Sequence, residues 1–138
     1  MSELIRVSLS IESPLLKKME ELATQKGYEN RSEFIRDLIR EQLTAREWES
    51  GAEVIGTITM VYNHHQRGIS EKLTQLQHDC TEHILAATHV HLSHHICAEM
   101  IMIKGSGKAI EKFSNALRKL KGVLHVGFSA SSTGEKLS

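Results

Sequence analysis

An α+β fold is predicted, made of a short β-α-α segment followed by a longer β-α-β-β-α-β segment. Three features predict it. "IRVSLSI", residues 5–11, alternates strictly between apolar and polar side chains; two capped amphipathic stretches follow directly; and beyond residue 53 the hydrophobic period switches between 2 and 3.6 in the order strand, helix, strand, strand, helix, strand. At 138 residues the chain suffices for one domain or two small ones. Two small ones would each be short of core, so association with another copy is expected. Lysine plus arginine and aspartate plus glutamate number 17 each, a balance that by itself indicates neither a nucleic acid nor a membrane as partner.

In the first strand Ile5, Val7, Leu9 and Ile11 point one way, and Arg6, Ser8 and Ser10 the other. The first helix is expected to start with Ser13 as N-cap and Pro14 at its first position, to bury Leu15, Leu16, Met19, Leu22 and Ala23, and to stop at Gly27. "NRSEFIRDLIREQL" opens the second: Asn30 is a good cap, Glu33 stands three residues on, and Phe34, Ile35, Leu38, Ile39 and Leu43 repeat at helical spacing. A lone strand of seven residues has no hydrogen-bonding partner within the first fifty, and an unpaired edge is costly or aggregation-prone. Antiparallel pairing with a second copy solves this.

Through "RVSLS", Gly27 and "NRSEFIRDLI" this segment resembles ribbon-helix-helix DNA-binding domains. The resemblance implies a two-stranded ribbon in the major groove, with Arg6, Ser8 and Ser10 at base edges, and Asn30, Arg31 and Ser32 turning the second helix's N-terminus toward a phosphate. The plainer alternative is an edge strand with a solvated face. Residues 1–50 hold eight basic and ten acidic side chains, a net of minus two, so non-specific DNA affinity should be weak. A regulator that needs a second input before binding fits that balance.

Ser50 and Gly51 in "EWESGAE" interrupt the helical stripe. The expected division is therefore residues 1–48, residues 54–130, and a disordered tail at 131–138. In the second part "VIGTITMVY" reads as a strand, "GISEKLTQLQHDCTEHI" as a helix, "ILAATHVHL" and "CAEMIMIKG" as paired strands, "GKAIEKFSNALRKLKG" as a helix and "VLHVGFSAS" as a strand. This is the ferredoxin-like order, in which two helices cover one face of a four-stranded sheet and leave the other to be covered, usually by another subunit. "KGSGK" lacks phosphate-loop spacing and reads as a turn into a helix.

The anomaly is histidine. Eight of nine, at 64, 65, 78, 83, 89, 91, 94 and 95, fall in one window, and "HVHLSHHIC" adds Cys97. His89 and His91 are two apart on a strand, so their side chains leave one face about 7 Å apart. Cys97 begins the returning strand and can bring sulfur to the same face, while His78 on the preceding helix can supply another donor within the chain or across an interface. Thiolate and imidazole exclude magnesium and calcium and favour zinc, copper, nickel or iron; donor type leaves tetrahedral zinc and planar nickel or copper open.

With "QH" followed by "HVHLSHHIC", the chain resembles the nickel-responsive repressor family NikR from residue 2 to about 130, a ribbon-helix-helix part joined to a ferredoxin-like part of the ACT type. The resemblance implies one Ni(2+) per subunit in square-planar geometry, held by His89, His91 and Cys97 with His78 from a neighbouring subunit, in a homotetramer built as a dimer of dimers that binds an operator in double-stranded DNA. It also hints at a secondary hard cation at Glu33 and Asp37, for which capping and solvation are the simpler roles. Two departures stand out: serine replaces the family's common threonine in the ribbon, and Asp79, Cys80 and Thr81 stand where relatives commonly carry further histidines. Cys80 reads as a small buried residue, or else as a competing ligand. Glu99 reads as a carboxylate orienting a liganding imidazole, or as a solvated strand residue; His64, His65, His94 and His95 as exposed loop residues or weak metal contacts.

The function expected is therefore nickel-dependent repression of nickel-uptake genes. The alternatives are a ribbon-helix-helix regulator of copper or zinc, or an antitoxin-type DNA-binding protein. An enzyme is not expected, because no base or substrate pocket accompanies the four donors. Without an apolar leader or a run of about 18 apolar residues, the protein is expected in the cytoplasm with reduced thiols.

Overall fold

The computed structural model describes residues 2–80 and 83–138. Its elements run α1 (Ser13–Gln25), α2 (Arg31–Ser50), β1 (Glu53–Asn63), α3 (Ile69–Asp79), β2 (Ile84–His91), β3 (Ile96–Ser106), α4 (Gly107–Arg118) and β4 (Val123–Ser131). Two compact units result, Met1–Leu43 with Leu137–Ser138, and Thr44–Lys136. None of the described helices is long and apolar enough to cross a membrane.

In the first unit α1 starts at Ser13 itself, so Glu12 takes the cap position without a side-chain bond and Pro14 lies in the first turn. The expected cap on α2 is present: the Asn30 side-chain oxygen accepts the Glu33 N–H at 2.9 Å. Gly27, at φ +81°, closes α1 in the left-handed region that L side chains avoid. The expected α1 stripe is not buried as a whole. Ala23 and Phe34 are the buried apolar residues of the unit among those described, while Leu15 and Leu22 stay about half exposed. Residues 2–12 enter neither helix nor strand, and Ile5, Val7 and Leu9 are 78%, 73% and 67% exposed. A strand exists only with a ladder, and one copy offers no second edge here.

The second unit is a four-stranded antiparallel sheet in the order β2-β3-β1-β4. Alternation selects its inner face: Val54, Ile58, Met60 and Tyr62 of β1 and Cys97, Ile101 and Ile103 of β3 are buried. They pack with Ile69 and Leu73 of α3 and Ile110, Phe113 and Leu117 of α4 in one core. On the opposite face Val90, Met100 and Met102 are exposed. Ser106 caps α4, its hydroxyl accepting the Ala109 N–H at 3.2 Å, so "KGSGK" is the expected turn into a helix.

Three boundaries differ from expectation. Trp48, placed with the first domain by its sequence position, belongs to the core of the second unit. Its ring lies 5.6 Å from that of Phe128, its Nε1–H donates to the Ser131 carbonyl at 2.8 Å, and a Cβ on Gly107 would come within 2.4 Å of its carbonyl oxygen. Ser131, read both as the last residue of the final strand and as the first of the tail, ends β4, and the Ser132 hydroxyl, expected in a disordered tail, bonds the Glu47 carboxylate at 2.7 Å. Finally α3 ends at Asp79, short of the expected end at Ile84: Cys80 and His83 lie in turns and Ile84 opens β2, while Thr81 and Glu82 lie outside the described residues.

Candidate metal centre

Strand register builds the site. On β3 Cys97 lies opposite Tyr62 of β1 and His91 of β2, and Glu99 lies opposite Met60 and His89. Two rows of side chains therefore cross three strands on the inner face. An irregularity between Val61 and Tyr62 ends the regular pairing of β1 with β4 beside this point, a feature that re-aims neighbouring side chains.

Cys97 is fully buried and its Sγ is 3.2 Å from His91 Nδ1. His64, just past the end of β1, brings its Nδ1 to 3.4 Å from the same sulfur. Donors of His64, His91 and Cys97 all lie within 4.8 Å of one another. With metal–nitrogen and metal–sulfur bonds of about 2.0 and 2.3 Å, two donors on one ion stand about 3.1 Å apart at a right angle and about 3.5 Å apart at the tetrahedral angle. The observed separations lie in that range, so the donors fit a borderline transition-metal ion.

His89 stands beside this cluster, its ring 5.2 Å from that of His91 and its Nδ1 3.2 Å from the Tyr62 hydroxyl. Burial, then the charges of Cys97 and Glu99, push the Tyr62 phenol up to about 12, so it keeps its proton. A phenol both donates and accepts. Tyr62 can therefore hold His89 in either tautomer, including the one in which Nδ1–H donates to the phenol and Nε2 faces an ion. Burial first, then the crowding of His65, His91, His94 and His95, lowers the His64 pKa, which favours the neutral form that ligates.

Of the expected ligands, His91 and Cys97 thus fall in one donor cluster; His89 shares their face but stands one row away, and His78 is not in the cluster. That residue is exposed in the last turn of α3 and lines a surface groove with Ser70, Glu71, Thr74 and Gln75. Glu99 is tied to the same helix, accepting from Gln77 Nε2 at 2.9 Å. Cys80 is half-buried against the core, and burial raises its pKa, as suits a small packing residue. Tyr62 was not singled out from sequence, and His64 only as an exposed loop residue or a weak metal contact. The usable signal was the short step from the end of a strand to His64, but it has meaning only once β1 is known to lie beside Cys97.

Around α2 the candidate DNA contacts share one groove: Arg6, Asn30 and Ser32 line it with Leu4, Ile5, Val7, Leu9, Ile35, Arg36 and Ile39. Ser8 and Ser10 are exposed. Arg31 is paired with Glu20. The suggested cation residues already have arginine partners: Asp37 bonds Arg40 at 2.7 Å and accepts the Tyr28 hydroxyl, and Glu33 lies 4.0 Å from Arg36.

Residues 2–46 match the model of the ribbon-helix-helix protein, copG family, and residues 55–131 that of the NikR C terminal nickel binding domain. Relatives named "Putative nickel-responsive regulator" include one from Geotalea uraniireducens, 45% identical over 99% of both chains, and one from Pyrococcus horikoshii, 47% identical over 98% of this chain and 99% of its own. A solved structure of an uncharacterized protein from Thermotoga maritima superposes with a TM-score of 0.51 at 18% identity, covering 56% of this chain and 96% of the other. At that identity it speaks to the fold alone.

Proposed function

Since the chain belongs to the NikR family of nickel-responsive regulators, a family of regulators and not of enzymes, we propose that it is a nickel-dependent repressor of nickel-uptake genes acting in the cytoplasm. The observation that carries the metal half of this reading is the facing pair His91 Nδ1 and Cys97 Sγ at 3.2 Å, with His89 on the same face one row away. His89, His91 and Cys97 are the proposed ligands from one chain. His78, exposed on α3 and outside the cluster, is the proposed fourth donor, given to a neighbouring copy. Bound there, Ni(2+) would tie these donors together across chains, one ion per subunit of a homotetramer built as a dimer of dimers.

Each side chain has its task in that assembly. Cys97 brings the soft donor on a strand anchored in the core, and Tyr62 orients His89. Glu99 and Gln77 fasten the ligand-bearing sheet to the helix that carries His78. In the other unit the exposed Ile5, Val7, Leu9 and Ile11 are covered when two copies pair their ribbons. Arg6, Ser8 and Ser10 are then presented twice to the major groove of an operator, with Asn30, Arg31 and Ser32 near phosphate. Metal can favour operator binding only by its difference in affinity between two arrangements of the subunits, and operator must then tighten nickel by the same factor.

The test is to titrate the protein with nickel, copper and zinc while recording absorption and operator binding together. A planar-nickel absorption that saturates as operator affinity rises supports the proposal. Equal operator affinity with and without metal would reject it.

A further inference from the structure

We infer that a second transition-metal site lies at the loop triad His65, His94 and His95. Donor nitrogens of these three residues all lie within 4.8 Å of one another, and all three side chains are exposed. Their rings stand 4.9 to 5.8 Å apart, centre to centre. Two loops supply them, one following β1 and one joining β2 to β3, and main-chain bonds fasten these loops independently of the imidazoles. His64 N–H donates to the His95 carbonyl at 3.1 Å, and Leu92 and Ser93 N–H groups donate to the Ile96 carbonyl at 2.9 and 3.2 Å. The Asn63 side-chain oxygen accepts the His65 N–H at 3.0 Å. The Ser93 hydroxyl accepts the N–H groups of His95 and Ile96 at 3.3 and 3.2 Å. The triad is thus held together before any ion arrives.

Three neutral imidazoles without a thiolate take a borderline divalent ion, zinc, nickel or copper, and their exposure leaves its remaining positions to water. With no sulfur donor and no burial, this site binds more weakly than one containing Cys97. It is distinct from the His64, His91 and Cys97 cluster in every ligand, although the rings of His64 and His65 are only 4.0 Å apart, centre to centre. Sequence spacing alone scatters His65 from the "SHH" turn by almost thirty positions; the β1–β3 pairing closes that gap.

Equilibrium dialysis of the full-length protein against zinc and, separately, nickel tests this. The variants are the triple substitution His65→Ala, His94→Ala and His95→Ala, the single His94→Ala, and Cys97→Ser. Wild type should bind one more ion per chain than the triple variant, the single variant should bind that ion at least about tenfold more weakly, and Cys97→Ser should retain it. Thiolate-to-nickel absorption should persist in the triple variant, and its absence from wild type would count against the Cys97 centre without touching the triad. Equal stoichiometry and affinity in wild type, the triple variant and the single variant would overturn the inference, as would an extra ion that only Cys97→Ser removes. Should the triple variant not fold, by circular dichroism, the single variant decides.

Discussion

The two units use apolar residues in opposite ways. Met1–Leu43 carries strongly periodic apolar side chains yet buries Ala23 and Phe34 alone among its described ones, whereas Thr44–Lys136 closes a continuous core from Trp48 to Val126. Covering one large aliphatic side chain is worth about 1.5–3 kcal/mol. In one copy the first unit leaves most of its apolar side chains uncovered, and the second buries its own. One copy thus leaves the N-terminal segment without a ladder, while the sheet closes its core within the chain.

The largest expected effect should break this contrast from the sheet side. Ile101→Ala removes a fully buried side chain and should cost about 2–5 kcal/mol of stability. In thermal or urea unfolding that loss should not vary with protein concentration. Leu9→Ala should instead act through association, so its penalty should shrink as concentration rises. Equal concentration dependence for both would remove the distinction.

Next in size is Gly107→Ala. The added carbon meets the Trp48 carbonyl oxygen at 2.4 Å, and relief of that overlap should cost on the order of 1–3 kcal/mol, measured by the unfolding midpoint of the sheet. Arg6→Ala should cost a similar 1–3 kcal/mol, but in specific operator binding and with nickel absorption unchanged. An operator affinity that stays the same would remove Arg6 from the base-reading set. Tyr62→Phe is smaller. It deletes the hydrogen bond to His89 and should weaken nickel about tenfold or more with little change in stability; nickel affinity equal to wild type would show that His89 needs no such support.

The smallest effect lies in the first unit and concerns pH. The Tyr28 hydroxyl and then Arg40 lower the Asp37 pKa below 3.8. A lowered folded-state value means the stabilising contribution is complete above the unfolded value and is lost as pH falls through the folded one. Tyr28→Phe should move the Asp37 titration back upward in an NMR carboxyl experiment, and an unmoved titration would show that the phenol does not hold the carboxylate.

Local periodicity made most of the fold legible. Alternation located β1, β3 and β4, a capping residue located α2, helical periodicity located α4, and the order of elements implied the sheet. What lay beyond it was every relation set by register or by a second surface. Trp48 reads as the end of a helical stripe and only the packing against Gly107 and Phe128 assigns it to the other unit. Ser132 reads as tail because no local pattern announces its bond to Glu47. His91 and Cys97 share one hairpin, so their meeting was readable from spacing, whereas His89 stands beside their cluster with its Nδ1 on Tyr62. His64 and Tyr62 reach Cys97 from the β1 side across a long stretch of chain, a relation that no spacing announces.

Operator affinity of the full-length protein, measured with and without saturating nickel, together with nickel affinity measured with and without operator, tests most directly whether the sheet controls the ribbon. Both affinities should rise by the same factor, and both increases should vanish in Cys97→Ser. Nickel bound at Cys97 with operator affinity unchanged would contradict the coupling on which the proposed function rests.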